Sequence, residues 1–114
     1  MSKVVLAVDD DPLVLEVLCE MLEDLGCEVV RAQSPTEALQ YVHDDGRIHS
    51  IVTDVEMGLI DGYELIDRAR NIRPDIKAIV ISGRAHGKED VFYLPKPFSE
   101  ADLEAAMAKT MGVC

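Results

Sequence analysis

The stretch VVLAVDDDP, residues 4–12, runs five apolar residues directly into three aspartates and a proline. A continuous apolar run of this kind is typical of a strand that is buried on both faces of a parallel sheet. Pro12 suits the first position of a helix, with Asp11 as its N-cap. Asp9 and Asp10 lie at the carboxyl end of the strand, where their like charges repel each other unless a cation lies among them. The stretch therefore predicts a strand and a helix with a cation site between them.

The remainder of the chain alternates between helix and strand patterns. After the first strand, apolar residues recur at helical spacing as far as Gly26; they are Val14, Val17, Leu18, Met21, Leu22 and Leu25. Further strands are predicted at residues 27–32, 48–54, 76–82 and 91–94. Further helices begin at the N-cap residues Ser34, Asp61 and Ser99. Five strands that alternate with helices predict one α/β domain over residues 1–114, built on a doubly wound parallel sheet.

The composition limits the classes of function. The 114 residues are 48% hydrophobic, which suits a globular domain, and no apolar run approaches the roughly 18 residues that cross a bilayer. The chain has 11 Lys and Arg against 22 Asp and Glu, a formal net charge of -11. Because nucleic acid phosphates need a basic surface, we expect no direct nucleic-acid ligand, and we expect no membrane partner.

The cysteines bear on the redox compartment. Cys19, Cys27 and Cys114 are odd in number and have no CxxC spacing. Such a set predicts neither a disulfide framework nor a zinc site, and it favours a reducing compartment. The start of the chain also lacks the long apolar stretch of a signal peptide. We therefore expect Cys19 and Cys27 to be buried thiols and the protein to be cytoplasmic.

Polar residues follow the predicted strands at their carboxyl ends, where ligands bind in a doubly wound sheet. Asp9 and Asp10 follow the first strand and Asp54 ends the third. Ser82 ends the fourth strand and Lys96 follows the fifth. Each residue taken singly has an ordinary structural explanation, such as a helix cap or a solvated lysine. Because the topology brings all of them to one edge of the sheet, a shared site is the better interpretation.

Four segments resemble those of a known family: AVDDDP (7–12), TDVEMGLIDG (53–62), VISG (80–83) and YLPKPF (93–98). They resemble, in order, the signature segments of the receiver domains of two-component response regulators, the CheY-like superfamily. The resemblance covers nearly the whole chain. It implies a flavodoxin-like receiver fold with five parallel strands in the order 2-1-3-4-5.

The resemblance also implies roles for the residues of the shared site. It implies that Asp54 is the phospho-acceptor and that Asp9 and Asp10 form the acidic pair that organises Mg²⁺. It implies that Ser82 and Lys96 contact the phosphoryl group. An aspartate can attack phosphorus if the charge that builds up on the phosphoryl oxygens is neutralised, so these residue types suit the chemistry.

Mg²⁺ requires octahedral oxygen ligation and keeps several waters. We therefore assign Asp10, Asp54 and the backbone carbonyl of Glu56 as its direct ligands, and Asp9 as a partner through water. Tyr93, three residues before the lysine, is the aromatic switch residue that the resemblance implies.

Some positions depart from the family pattern or extend it. Gly58 stands where receivers usually have a proline, so we expect a more mobile loop there. Glu56 and Arg84 occupy positions that flank the attacking water in receivers, where their charge and bulk would tune the lifetime of the phosphoryl group. The Lys96-Pro97 bond is expected to be cis by the same resemblance.

The function predicted from these residues is that of a signalling switch. It accepts a phosphoryl group from a histidine kinase or a phosphotransfer protein and catalyses only its own phosphorylation and dephosphorylation. The alternative is a Mg²⁺-dependent phosphatase of haloacid-dehalogenase type, since Asp54 and Glu56 imitate its acidic pair. That pair would be expected on the first strand, with an aspartate as its second acid. A flavodoxin-like cofactor binder is disfavoured because aspartates stand where a phosphate-binding loop needs glycine and hydroxyl residues.

The interval between the fourth and fifth strands is short. Ten residues, GRAHGKEDVF (83–92), separate Ser82 from Tyr93, where receivers ordinarily place a whole fourth helix. The segment has two glycines and no apolar stripe of helical period. We therefore expect this helix to be absent or reduced to a single turn, with a mobile loop at residues 84–90. Receivers commonly form dimers through the surface to which the fourth helix belongs. Because that helix is expected to be missing here, a monomer is expected.

Overall fold

A computed structural model describes residues 3–58, 60–83, 91–112 and 114. The strands are β1 (Val4–Val8), β2 (Glu28–Ala32), β3 (Ile48–Asp54), β4 (Lys77–Ser82) and β5 (Phe92–Pro95). The helices of the described residues are α1 (Pro12–Asp24), α2 (Pro35–Asp44), α3 (Gly62–Ile72) and α4 (Glu100–Thr110). All neighbouring strands pair in parallel, in the order β2-β1-β3-β4-β5. The predicted fold class and strand order are confirmed.

The first strand lies between β2 and β3 in the sheet, and its apolar run is buried on both faces. Val5 and Ala7 pack into the cluster beneath α1 and α4. Val4, Leu6 and Val8 point the other way, into the cluster beneath α2 and α3. Side chains of a strand alternate between faces, so only an uninterrupted apolar run can fill both layers.

The first helix buries only part of the recurring apolar set, together with two residues outside it. Its buried residues are Leu15, Leu18, Cys19 and Leu22. Val14 and Val17, which belong to the recurring set, are exposed. The helix is apolar around more than one side, so periodicity alone does not identify the side that meets the sheet.

Each helix begins at a residue that caps it. The side chains of Asp11, Ser34 and Asp61 accept hydrogen bonds from backbone N–H groups of the first turns of α1, α2 and α3. Ser99 and Asp102 form a reciprocal capping box at the start of α4. These local bonds satisfy donors that a helix cannot satisfy itself, and they fix where each chain segment leaves the sheet.

Among the described residues, no helix lies between β4 and β5. The four helices fit the shortened fourth-helix region that the sequence predicts. The predicted mobile loop itself, residues 84–90, lies outside the described residues. None of the described helices combines the length and the apolar character that crossing a bilayer would require.

The cysteine interpretation is corrected by the structure. Cys27 and Cys114 form a disulfide that joins the start of β2 to the region beyond α4, with their Cα atoms 4.9 Å apart. Cys27 is therefore not the buried thiol that we expected, whereas Cys19 is buried and free. The two cysteines are 87 residues apart in sequence, so no short spacing motif predicts that they pair. The packing of α4 against the sheet brings them together.

Candidate functional site

The site lies at the carboxyl edge of the parallel sheet. Asp9 follows β1, Asp10 follows Asp9, and Asp54 ends β3; one carboxylate oxygen from each lies within 4.8 Å of the others. Lys96, which follows β5, places its Nζ 3.4 Å from Oδ1 of Asp54. The structure thus brings together four of the predicted residues from three separate strands.

The position of Asp54 is fixed from two directions. The backbone N–H of Val55 donates to the carbonyl of Ile81 at 3.0 Å, which continues the pairing of β3 with β4 beyond Asp54. On the other side, Gly62 at the start of α3 donates its N–H to the carbonyl of Val55 at 2.8 Å. A Cβ atom at Gly62 would overlap the carbonyl oxygen of Asp54, so this close approach requires glycine.

The two buried carboxylates carry unbalanced negative charge. Burial raises the pKa of Asp9 to about 6; the backbone N–H of Asp11 and the charge of Lys96 lower it, while the carboxylate of Asp54 raises it further. Burial also raises the pKa of Asp54, with Lys96 opposing the rise and Glu56 adding to it. One lysine therefore does not compensate these carboxylates, and the cluster offers a cation a set of hard oxygen ligands.

Ser82 connects the site to Tyr93. The carbonyl of Ser82 accepts hydrogen bonds from the backbone N–H of Lys96 at 2.9 Å and from the hydroxyl of Tyr93 at 3.3 Å. Its own hydroxyl donates to Oε1 of Glu56 at 3.2 Å. The sequence pointed to the backbone carbonyl of Glu56 as a metal ligand, and it did not foresee this contact of the side chain.

Two positions in the loops around the site were singled out in the sequence. Gly58 has φ +76°, a conformation that glycine adopts freely and that the fixed φ of proline excludes. The Lys96-Pro97 bond is cis, as the sequence led us to expect. Arg84, the second residue expected beside the attacking water, lies outside the described residues.

A family model for the response regulator receiver domain matches residues 5–108. The chain belongs to this family. Among its relatives, response regulator MprA of Mycobacterium ulcerans is 36% identical over 115 residues, which cover 94% of this chain and 49% of MprA. Sensor kinase CckA of Brucella abortus is 34% identical over 122 residues, which cover 96% of this chain and 13% of CckA. The receiver domain thus spans less than half the length of either relative.

The fold of the receiver domain has close solved counterparts. The crystal structure of the receiver domain from the hybrid histidine kinase CckA matches with a TM-score of 0.82 at 31% identity, covering 93% of this chain and 96% of that one. Receiver domains are signalling switches of two-component systems rather than enzymes that turn over a metabolite. Asp54 lies on the third strand of the sheet and not on the first, which favours the switch over the phosphatase alternative.

An apolar groove borders the site of the receiver domain, and the sequence analysis missed it. Leu13 and Val17 on α1 are 73% and 52% exposed. Together with Phe98 they line a groove of about 650 Å³, and Asp9 and Lys96 also line it. The signal was present in the sequence, because α1 carries more apolar residues than one stripe beneath the sheet can bury.

Proposed function

We propose that this receiver domain is a phosphorylation-dependent switch with Asp54 as its phospho-acceptor. The observation that carries the proposal is the position of the Asp54 carboxylate, at the carboxyl edge of the sheet, between two other aspartates and Lys96. A histidine kinase or a phosphotransfer protein is the donor that the family membership favours. The relatives include a response regulator and a sensor kinase, which are different kinds of protein. The donor and the output of the whole protein are therefore proposed and not taken from either relative.

The residues fit a magnesium ion. The three clustered carboxylates supply only oxygen atoms. Burial raises the pKa values of Asp9 and Asp54, and neighbouring carboxylates add to the rise. Asp10, Asp54 and the backbone carbonyl of Glu56 would hold the ion directly, and Asp9 would hold it through water. When bound, Mg²⁺ supplies positive charge that neutralises the phosphoryl oxygens.

The residues of the chain perform the transfer as follows. An oxygen of Asp54 forms a bond to phosphorus while the P–N bond of the donor phosphohistidine breaks, and the imidazole leaves with the electron pair. Lys96, now 3.4 Å from Asp54, moves its charge from the carboxylate to a phosphoryl oxygen. The hydroxyl of Ser82 donates to another phosphoryl oxygen, and Tyr93 responds because its hydroxyl contacts the carbonyl of Ser82.

The apolar groove suits the docking of the phosphodonor protein. Its walls include Asp9 and Lys96, so a helix seated against Leu13 and Val17 would lie next to two residues that neighbour Asp54. Exposed apolar side chains on a chain of net charge -11 mark this surface as one that a protein partner covers. Phosphorylation there would involve neither nucleic acid nor membrane.

The test is phosphorylation by a small donor such as acetyl phosphate. Label should appear only with Mg²⁺, and Asp54→Asn should abolish it because the amide keeps the shape and removes the nucleophile. Asp61→Asn is the matched control, since asparagine also caps α3 and the label should remain. Acid-labile phosphate on Asp54→Asn would overturn the proposal. Steady hydrolysis of a generic phosphate ester would favour the phosphatase instead.

A further inference from the structure

The Ser82 hydroxyl is engaged before any phosphoryl group arrives. Ser82 is fully buried at the end of β4, and its Oγ donates to Oε1 of Glu56 at 3.2 Å. Glu56 lies two residues after Asp54 on an exposed part of the loop. The side chain that phosphorylation needs as a donor therefore already has an anionic acceptor.

The backbone around this contact is fixed, which leaves the hydroxyl as the part that can turn. The carbonyl of Ser82 is held by the N–H of Lys96 and the hydroxyl of Tyr93. Val55, the residue before Glu56, is held to Ile81, the residue before Ser82, by a hydrogen bond of 3.0 Å. Rotation about the Cα–Cβ bond of Ser82 can re-aim the hydroxyl without moving either strand.

A serine hydroxyl has a single proton to donate. We propose that Glu56 is a positioning residue that holds the Ser82 hydroxyl in the unmodified state and competes for it with the phosphoryl group on Asp54. This inference rests on the proposed function and deepens it. Phosphorylation must break the bond between Ser82 and Glu56, so Glu56 slows the reaction and favours the unmodified conformation.

The charge of Glu56 has a second effect that must be separated from the first. A carboxylate near Asp54 repels an anionic phosphodonor whatever Ser82 does. Two substitutions distinguish these effects. Glu56→Gln removes the charge and keeps a side-chain oxygen that can accept from Ser82, whereas Glu56→Ala removes both.

The experiment measures the initial rate of phosphorylation by acetyl phosphate, with saturating Mg²⁺, for both substitutions in two backgrounds. With Ser82 present, Glu56→Ala should react about fivefold faster than Glu56→Gln, the factor expected for one hydrogen bond. In a Ser82→Ala background the two substitutions should react at the same rate, because no hydroxyl is left to hold. In that background, the difference in rate between these two variants and the protein that keeps Glu56 measures the charge repulsion alone. Melting temperatures confirm that each variant is folded.

The outcomes decide between the hypotheses. Equal rates for Glu56→Ala and Glu56→Gln with Ser82 present would overturn the proposal, as would a fivefold ratio that persists in the Ser82→Ala background. Asp54→Asn is measured in the same series. If Asp54→Asn loses the label but the rates of Glu56→Ala and Glu56→Gln do not differ as expected, only the competition for Ser82 is wrong. If Asp54→Asn keeps the label, the proposed function itself fails.

Discussion

The two edges of the sheet differ in how far their polar groups are satisfied. At the carboxyl edge, Asp9 and Asp54 are buried with raised pKa values and share one lysine. At the amino edge, Arg73 donates to the backbone carbonyls of Val42, Asp45 and Ile48 at 2.6, 2.9 and 2.6 Å. One edge keeps charge that its own residues do not balance, whereas at the other edge one arginine satisfies three backbone acceptors.

The amino edge also joins distant parts of the chain. The disulfide between Cys27 and Cys114 lies there, and the Nζ of Lys3 donates to the carbonyl of Met111 just after α4. Arg47 adds ion pairs to Asp45 and Glu28 at 2.9 Å each. The same sheet thus concentrates stabilising contacts at one edge and leaves the other available for reaction, and the two can be tested separately.

The largest effect on stability should come from the disulfide. It closes a separation of 87 residues, and the chain-entropy account assigns such a loop about 4.6 kcal/mol of unfolding free energy. Urea unfolding with and without dithiothreitol measures the loss. Cys27→Ser should match the reduced protein and show no further response to reductant. Identical midpoints for the oxidised and reduced protein would contradict the expectation, and the rate of Asp54 phosphorylation should not depend on reduction.

Removing the Arg73 guanidinium should have the next largest effect. Arg73→Met keeps much of the apolar stem and removes the donors to three carbonyls, which should lower the free energy of unfolding by about 3 kcal/mol. The control is Arg68→Met. Arg68 makes an exposed ion pair with Glu64 in α3, and its removal should cost less than about 0.5 kcal/mol. Equal losses in denaturant unfolding would show that the carbonyl contacts do not matter.

At the carboxyl edge, a substitution should stabilise the metal-free protein. The folded pKa of Asp9 is raised from 3.8 to about 6, so the folded state binds more protons than the unfolded chain between these values. The contribution of Asp9 to stability therefore falls as the pH rises through this window. In EDTA, the advantage of Asp9→Asn over wild type should grow from near zero at pH 4 to about 2 kcal/mol at pH 7. An advantage that shrinks with pH would contradict the sign.

The smallest expected effect is that of Mg²⁺ on the unmodified protein. At ten times its dissociation constant the ion should add about 1.4 kcal/mol and raise the melting temperature by roughly 5 °C. Asp10→Asn should require a higher Mg²⁺ concentration for the same rise. If thermal melting is unchanged by millimolar Mg²⁺ and by EDTA, the three carboxylates are not a magnesium site.

Local patterns predicted most of the fold. The apolar run before Asp9 indicated a doubly buried strand, and the caps at Asp11, Ser34 and Asp61 marked helix starts that the structure confirms. These signals depend on residues within a few positions of each other, where period and capping chemistry act directly. The convergence of Asp9, Asp54 and Lys96 followed from one topological rule about strand ends.

Sequence by itself determined the order of the elements, the strands that carry the site residues and the acidic character of the cluster. Only the tertiary structure decided that Cys27 pairs with Cys114, that Arg73 caps three carbonyls and that the Ser82 hydroxyl donates to Glu56. The physical reason is distance along the chain. A hydrogen bond or a disulfide forms between atoms a few ångströms apart, and for residues 26 or 87 positions apart that proximity is set by the packing of whole elements.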